Sequence, residues 1–193
     1  MSSLPIRQLT PEQYLVIERQ ASFKSEFYRG ETFAMAGASL VHNMIQSNLI
    51  RHLGNHLDGT PCRVVGSDLR LCISATGLYT YPDAVIFCEP SQFLDIHSDT
   101  LLSPTVLIEV LSDSTEKYDR GVKSSQYREI ESLQEYVLVS QSHPQVEVFQ
   151  RLPDGNWLLK DSRGRHASLV LASLGIAISL SEVYAGVEFS NAD

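Results

Sequence analysis

Residues 104–113 read PTVLIEVLSD, an apolar run with one carboxylate, Glu109, at its centre. Aliphatic residues at this density, bounded by proline and by Ser-Asp, are typical of a strand that is buried on both faces. A buried carboxylate without a partner is strongly destabilising. The run therefore predicts a strand over residues 105–111 in which Glu109 is paired, neutralised or used in chemistry.

A second carboxylate, Asp83, lies at the start of another apolar run, YPDAVIFC, over residues 81–88. Pro82 cannot donate a ladder hydrogen bond, so Asp83 is expected near the beginning of that strand. Side chains alternate between the two faces of a strand, and neighbouring strands would bring Asp83 and Glu109 together. A divalent cation with oxygen ligands would then offset the repulsion between them.

Both carboxylates also have a plainer interpretation. An aspartate at the start of a strand is usually a turn residue, which is the simplest explanation of Asp83 taken alone. Glu109 could instead point outward from a half-exposed sheet and pair with a surface lysine.

A predicted helix over residues 119–130 adds a basic residue to this pair. Asp119, Lys123 and Tyr127 stand at i, i+4 and i+8, on one face of that helix. With Val122 and Ile130 as core contacts, Lys123 lies at the edge of the buried face and can extend its ammonium toward the carboxylates. The alternative is a surface Asp–Lys pair that contributes little to stability.

The other segments predict a mixed α/β domain with a mostly antiparallel sheet flanked by helices. Thr10 and Gln13 form a capping box at the start of a first helix, with Pro11 at its first position, and Ser39 opens a second helix. The second helix buries Val41, Ile45, Leu49, Leu53 and Leu57. Strands are expected near residues 25–28, 31–35, 62–65, 68–73, 83–88, 135–140, 145–152 and 157–161, with a loop over 89–104 and a short helix within 179–187.

Composition excludes some classes of protein. The chain of 193 residues has a net charge of −8, which argues against a strong non-specific nucleic-acid binder because such binding depends on Lys and Arg. No stretch has the apolar length of a membrane-spanning helix, and the N-terminal residues lack the apolar core of a secretion signal. Cys62, Cys72 and Cys88 stand in apolar runs and are expected to be reduced core thiols of a cytoplasmic protein.

Several blocks, in order, carry a resemblance to a known family: EFYRGETFAMAGAS (26–39), YPDAVIF (81–87), SPTVLIEVLSDST (103–115) and YDRGVKSSQYREIESLQEYVLVS (118–140). They resemble the Uma2 family, also called DUF820, whose members are labelled restriction endonucleases of the PD-(D/E)XK nuclease superfamily. The resemblance covers most of the chain. It implies a single restriction-endonuclease-like domain over residues 1–193.

The resemblance also implies roles for particular residues. Pro82-Asp83 matches the "PD" and Glu109 the "(D/E)", so both are expected to bind Mg²⁺ or Mn²⁺. The superfamily's lysine normally follows two residues after the glutamate, where this chain has Leu111. The strict motif is therefore broken, and Lys123 on the following helix matches the displaced catalytic lysine.

Further residues are weaker matches. Glu26 or Glu31, around the hairpin turn, resembles the family's N-terminal acidic position and is expected as an outer metal ligand; the alternative for Glu31 is simple hairpin charge. His42 near the start of the second helix and Tyr127 are candidate substrate-binding residues. For His42 the alternative is a cap or packing role.

The resulting hypothesis is a metal-dependent phosphodiesterase acting on DNA, a cytoplasmic endonuclease that works as a homodimer, the commonest closed oligomer. Asp83 and Glu109 would bind Mg²⁺ or Mn²⁺, and Lys123 would position or activate the nucleophile. The rival hypothesis is a non-catalytic interaction protein that retains a nuclease fold. The net charge favours the rival, and the intact trio of Asp83, Glu109 and Lys123 favours the enzyme.

Overall fold

A computed structural model describes residues 8–189. Its helices and strands, in chain order, are α1 (Pro11–Glu18), β1 (Ser25–Tyr28), β2 (Glu31–Ala34), α2 (Leu40–Leu57), β3 (Cys62–Gly66), β4 (Arg70–Ile73), β5 (Leu78–Thr80), β6 (Ala84–Cys88), β7 (Thr100–Leu101), β8 (Val106–Leu111), α3 (Glu116–Tyr118), a π-helical turn (Asp119–Lys123), α4 (Ser124–Tyr127), β9 (Glu135–Ser140), β10 (Gln145–Arg151), β11 (Trp157–Arg163), β12 (Ser168–Leu171), β13 (Ile176–Ser179) and α5 (Leu180–Val183). None of the helices within residues 8–189 is long and apolar enough to cross a bilayer.

The largest sheet has the strand order β11-β10-β9-β8-β6-β3. Neighbouring strands are antiparallel except β8 and β9, which run parallel. A second sheet has the order β2-β1-β5-β4-β7, and β12 pairs with β13 in a third. The predicted mixed, mostly antiparallel architecture with flanking helices is confirmed.

Strand β8 lies at the centre of the core, with apolar side chains on both of its faces. Every residue of β8 is buried, Glu109 included. One face of β6 and β8 packs with α2, whose buried residues are Ile45, Leu49, Leu53 and Leu57. The other face packs with Tyr127 and Tyr136. The prediction of a strand buried on both sides is confirmed, and α2 and the 116–127 segment lie on opposite faces of it.

The hairpin of β1 and β2 has the two-residue turn that its sequence favours. Arg29 and Gly30 have φ angles of 50° and 88°. Two successive positive φ values match the twist of the flanking strands, and glycine adopts such values without steric cost. The resulting register places Glu26 directly opposite Phe33.

Several sequence predictions were wrong in detail. The predicted loop over residues 89–104 contains β7, and β5, β12 and β13 were not anticipated. These strands are only two to four residues long, too short for alternation to be read reliably.

Val122, predicted as a core contact, is 56% exposed. It faces outward because Asp119, Lys123 and Tyr127 form the inward face of the helical segment over residues 116–127.

The cysteine prediction is corrected. Cys62 and Cys88 are directly opposite each other on β3 and β6 and form a disulfide, whereas Cys72 is free and buried. The two cysteines have a sequence separation of 26, and no local pattern indicates their pairing. Only the antiparallel register of β3 and β6 brings them together.

We expect the disulfide to be measurable chemically and thermodynamically. Thiol titration of the denatured, unreduced protein should detect one thiol, Cys72, and titration after reduction should detect all three cysteines. Because the link closes a loop with a sequence separation of 26, reduction should lower the free energy of unfolding by about 3 kcal/mol. Three reactive thiols before reduction would contradict the pairing.

Candidate active site

The two sequence-predicted carboxylates meet at one end of the β6–β8 pair. The register pairs Ala84 with Ile108, so the next step along the antiparallel ladder sets Asp83 opposite Glu109. Asp83 Oδ2 accepts a hydrogen bond of 2.7 Å from the backbone N–H of Val110. The carboxylate of Asp83 is thereby tied to the strand that carries Glu109.

Helix α2 holds Asp83 from the other side. Ser39 caps the helix, its Oγ accepting a 3.1 Å hydrogen bond from the backbone N–H of His42. One turn in, His42 Nε2 is hydrogen bonded to Asp83 Oδ1 at 3.0 Å, and Gln46 Nε2 donates to the Asp83 carbonyl oxygen at 2.6 Å. The side chain and the backbone of Asp83 are both fixed, which leaves this carboxylate little rotational freedom.

Lys123 extends into the same place from the π-helical turn. Its Nζ lies 2.8 Å from Glu109 Oε1, 3.5 Å from Glu26 Oε1 and 3.6 Å from Asp119 Oδ1. The side chain of Lys123 and these three acidic residues are all buried. The wider π turn presents Asp119 and Lys123 inward together, and such turns are frequent at functional sites.

Hydroxyl groups donate hydrogen bonds to two carboxylates of the cluster, those of Glu109 and Glu26. Tyr127 Oη donates to Glu109 Oε1 at 2.6 Å. Tyr118 Oη donates to Glu26 Oε2 at 3.0 Å, and the hydroxyl of Thr80 donates to Glu26 Oε1. The second Glu109 oxygen, Oε2, accepts no hydrogen bond from residues 8–189. Glu109 therefore keeps one oxygen for a further partner.

The electrostatics of the cluster are dominated by burial. Removal from water raises the pKa of Glu109 to about 8; Lys123 opposes this shift, and Asp119 and Asp83 add to it. Burial by itself would lower the pKa of Lys123, but the combined attraction of Glu109, Glu26 and Asp119 outweighs it and raises that pKa. Lys123 is therefore protonated at neutral pH and carries the positive charge of the cluster.

The cluster forms the floor of an open cleft of about 890 Å³. The cleft is also lined by the segment from Phe33 to Ser39 with the start of α2, and by the segment from Ser112 to Thr115. Asp83, Glu109, Asp119 and Lys123 all line this cleft. The buried cluster therefore borders a cleft that is open to solvent.

The donor set of the cleft fits a hard divalent cation. Asp83, Glu109, Glu26 and Asp119 supply four carboxylates against one lysine, so the cluster has excess negative charge when all are ionised. Within residues 8–189 no three acidic, histidine or cysteine side chains are arranged to hold an ion by themselves. Mg²⁺ is usually held by one or two carboxylates together with water and substrate phosphate, which matches the pair Asp83 and Glu109.

Two predicted site residues have other positions. Glu31 is exposed at the turn end of β2, opposite Tyr28, and does not line the cleft. Tyr127 is fully buried, so it supports Glu109 from beneath instead of facing a substrate.

The sequence analysis treated Asp119 only as a partner of Lys123 on one helix face, whereas Asp119 itself lines the cleft. The i, i+4 spacing was the available signal.

A family model described as "Uma2: Putative restriction endonuclease" matches residues 11–181. The chain belongs to the Uma2 family. Two uncharacterized proteins of Synechocystis sp. are similar to it. One, slr1290, is 36% identical over 187 residues, covering 97% of each chain. The other, sll1609, is 37% identical over 168 residues, covering 87% of this chain and 95% of its own.

A crystal structure of "a putative nuclease belonging to DUF820" from Anabaena variabilis has the same fold as this Uma2 chain. The TM-score is 0.73 at 18% sequence identity, and the match covers 92% of this chain and 98% of the other. The restriction-endonuclease-like fold and the family resemblance seen in the sequence are thereby confirmed.

The raised pKa of Glu109 predicts a pH dependence of stability in metal-free protein. An acid whose pKa is higher in the folded than in the unfolded state stabilises the fold at low pH and loses that contribution as the pH rises through the folded value. Wild-type thermal stability should therefore fall as the pH rises toward 8, the pKa of Glu109 in the folded protein. Glu109→Gln should flatten the profile and raise the melting temperature at the alkaline end by several degrees.

The matched control is Glu31→Gln, because Glu31 is an exposed glutamate outside the cleft. Thermal unfolding followed by circular dichroism in EDTA across this pH range provides the comparison. Parallel profiles for wild type and Glu109→Gln would show that ionising Glu109 does not strain the folded state.

Proposed function

We propose that this Uma2 protein is a metal-dependent phosphodiesterase that cleaves DNA, with residues 1–193 acting as one restriction-endonuclease-like domain. The observation that carries the proposal is the convergence of Asp83, Glu109 and Lys123 on the floor of an open cleft. Family membership supports the same reading. A buried carboxyl with a strongly raised pKa and a specific charged partner, lining a cleft, is typical of a functional site.

Asp83 and Glu109 are the proposed ligands of Mg²⁺ or Mn²⁺, with Glu26 as an outer ligand. The bound cation would polarise a phosphoryl oxygen and activate water. Val110 N–H and His42 keep the Asp83 carboxylate oriented toward this position. His42 also lines the cleft, so it is placed to contact a substrate as well as to hold Asp83.

Lys123 is the proposed catalytic lysine. Its pKa is raised, so it acts as a fixed positive charge and not as a base that removes a proton from water. From the cleft floor the ammonium would orient the attacking water and stabilise the negative charge that develops on the phosphate. Tyr127 donates a hydrogen bond to the same Glu109 oxygen that Lys123 contacts, and so helps to fix the orientation of the Glu109 side chain.

Metal binding is expected to depend on the two proposed ligands. Isothermal titration with Mn²⁺ should show binding to wild type and its loss in Asp83→Ala and in Glu109→Gln. Glu31→Gln should bind as wild type does, because Glu31 lies outside the cleft. Unchanged Mn²⁺ affinity in Glu109→Gln would remove Glu109 from the ligand set.

Catalysis is expected to depend on Lys123 more than metal binding does. Lys123→Ala should retain most of the Mn²⁺ affinity, because an ammonium is not a ligand, but should lose about a hundredfold or more in rate. Lys123→Arg should not restore full activity, because a planar guanidinium does not replace a compact point charge. The assay is cleavage of plasmid DNA with Mg²⁺ or Mn²⁺.

Lys117→Ala is a suitable control, since Lys117 lies on the same helical segment outside the cleft lining. Equal activity of wild type and Lys123→Ala would exclude Lys123 from the mechanism. Wild type that cleaves no substrate with either metal would favour the rival function, a non-catalytic interaction protein with a nuclease fold.

We also propose a cytoplasmic homodimer. A two-fold pair would place two such clefts on one DNA molecule. Within residues 8–189, strand β11 is at the edge of its sheet and exposes Leu158 and Leu159, which makes the β10–β11 hairpin a candidate interface. The cytoplasm is a reducing compartment, so the Cys62–Cys88 disulfide would be subject to reduction there.

The expected result of light scattering at micromolar concentration is the mass of a dimer. Leu159→Lys should shift the population toward monomer, since it places a charge on the proposed interface. The control is Leu40→Lys, which changes an exposed apolar residue at the start of α2. It should leave the mass unchanged. A monomer of wild type would contradict the dimer.

A further inference from the structure

Phe33 stands beside the acidic cluster without being part of it. In the β1–β2 register Phe33 is directly opposite Glu26. Residues opposite each other on antiparallel strands point to the same face, with their Cβ atoms about 5 Å apart. Because Glu26 Oε1 lies 3.5 Å from Lys123 Nζ, the Phe33 ring is presented next to the proposed site of cleavage.

The ring of Phe33 is available to a ligand. The residue is 50% exposed and lines the cleft. A single exposed aromatic residue is common on protein surfaces and has no meaning by itself. Phe23 is such a residue, 62% exposed but outside the cleft lining. What distinguishes Phe33 is its place on the wall of the cleft, across one strand pair from the cluster.

The charges of the cleft favour recognition of bases over recognition of many phosphates. Among residues 8–189, the lysine or arginine side chains lining it are Lys24 and Lys123. Lys123 is engaged by three carboxylates, and the ammonium of Lys24 is hydrogen bonded to Ser67 and Asp68. Duplex binding depends on neutralising a row of phosphates. Single strands can instead be held by stacking of bases on aromatic rings.

We infer that Phe33 stacks on an unpaired nucleobase next to the phosphate positioned at Asp83 and Glu109, so that the substrate class is single-stranded or locally unpaired nucleic acid. This inference rests on the proposed phosphodiesterase function. It adds the base as the recognised group and Phe33 as a specificity-determining residue. The apolar ring meets the face of any base, so the contact is tolerant of sequence.

The test is fluorescence anisotropy with labelled oligonucleotides in CaCl₂ buffer. The probes are a single-stranded DNA, an RNA of the same sequence, and the DNA duplex. Wild type should bind the single strands more tightly than the duplex, and comparison of the DNA and RNA arms identifies the preferred sugar. Phe33→Leu, which keeps an apolar side chain but no aromatic face, should weaken single-strand binding about tenfold or more. Phe33→Trp should retain it.

Phe23→Leu is the matched control, since it removes a phenyl ring that is at least as exposed but lies outside the cleft lining. It should bind as wild type does. Equal single-strand affinity of wild type and Phe33→Leu would overturn the inference. Tighter binding of the duplex by wild type, or no binding of any probe, would overturn it as well.

The binding experiment separates this inference from the proposed function. Single-strand binding that depends on Phe33, in a protein that cleaves none of the probes when Mg²⁺ or Mn²⁺ replaces Ca²⁺, supports stacking and contradicts the phosphodiesterase. Cleavage of duplex DNA that is unaffected by Phe33→Leu supports the phosphodiesterase and overturns the role of Phe33.

Discussion

The buried ion pair between Lys123 Nζ and Glu109 Oε1 is the interaction on which the site depends. Both groups are buried and lie 2.8 Å apart, so the charge of Lys123 is compensated inside the fold by the nearest carboxylate of the cluster. Glu26 and Asp119 add negative charge that one ammonium does not balance. A core of the same volume filled with apolar side chains is often at least as stable. The proposed chemistry at the cleft gives such a cluster a purpose, and hydroxyl donors hold Glu109 and Glu26 in place within it.

Three separate structural devices deliver the groups of this cluster. The antiparallel register of β6 and β8 sets Asp83 opposite Glu109. Ser39 caps the start of α2, and this places His42, in the first turn of the helix, within hydrogen-bond distance of Asp83. The π-helical turn directs both Asp119 and Lys123 inward. Each device is anchored in an element packed on the core, so the side chains are held by rigid segments. Such support is what preorganised sites require.

The acidic character of the cleft connects the net charge with the proposed chemistry. A chain with a charge of −8 and a carboxylate-lined cleft repels nucleic acid as a whole. In the proposed function, a divalent cation held by Asp83 and Glu109 would reverse the local sign of the charge at the position of one phosphate. The ring of Phe33 would then add an attraction to bases that does not depend on charge. On this view the metal and the ring of Phe33 replace the basic surface that many nucleic-acid-binding proteins use.

The sequence alone determined the strand around Glu109, the helix start at Ser39, the Arg29-Gly30 turn and the common face of Asp119, Lys123 and Tyr127. These follow from local propensity and periodicity, which act over a few residues. Tertiary structure alone decided the Cys62–Cys88 pairing, the short strands β5 and β7, the exposure of Val122 and the separation of Glu31 from Glu26 within one hairpin. Register and packing between distant segments control these features, and one sequence does not encode them in any local pattern. The convergence of Asp83 with Glu109 lies between the two cases: alternation predicted the faces, but only the pairing of β6 with β8 made them meet.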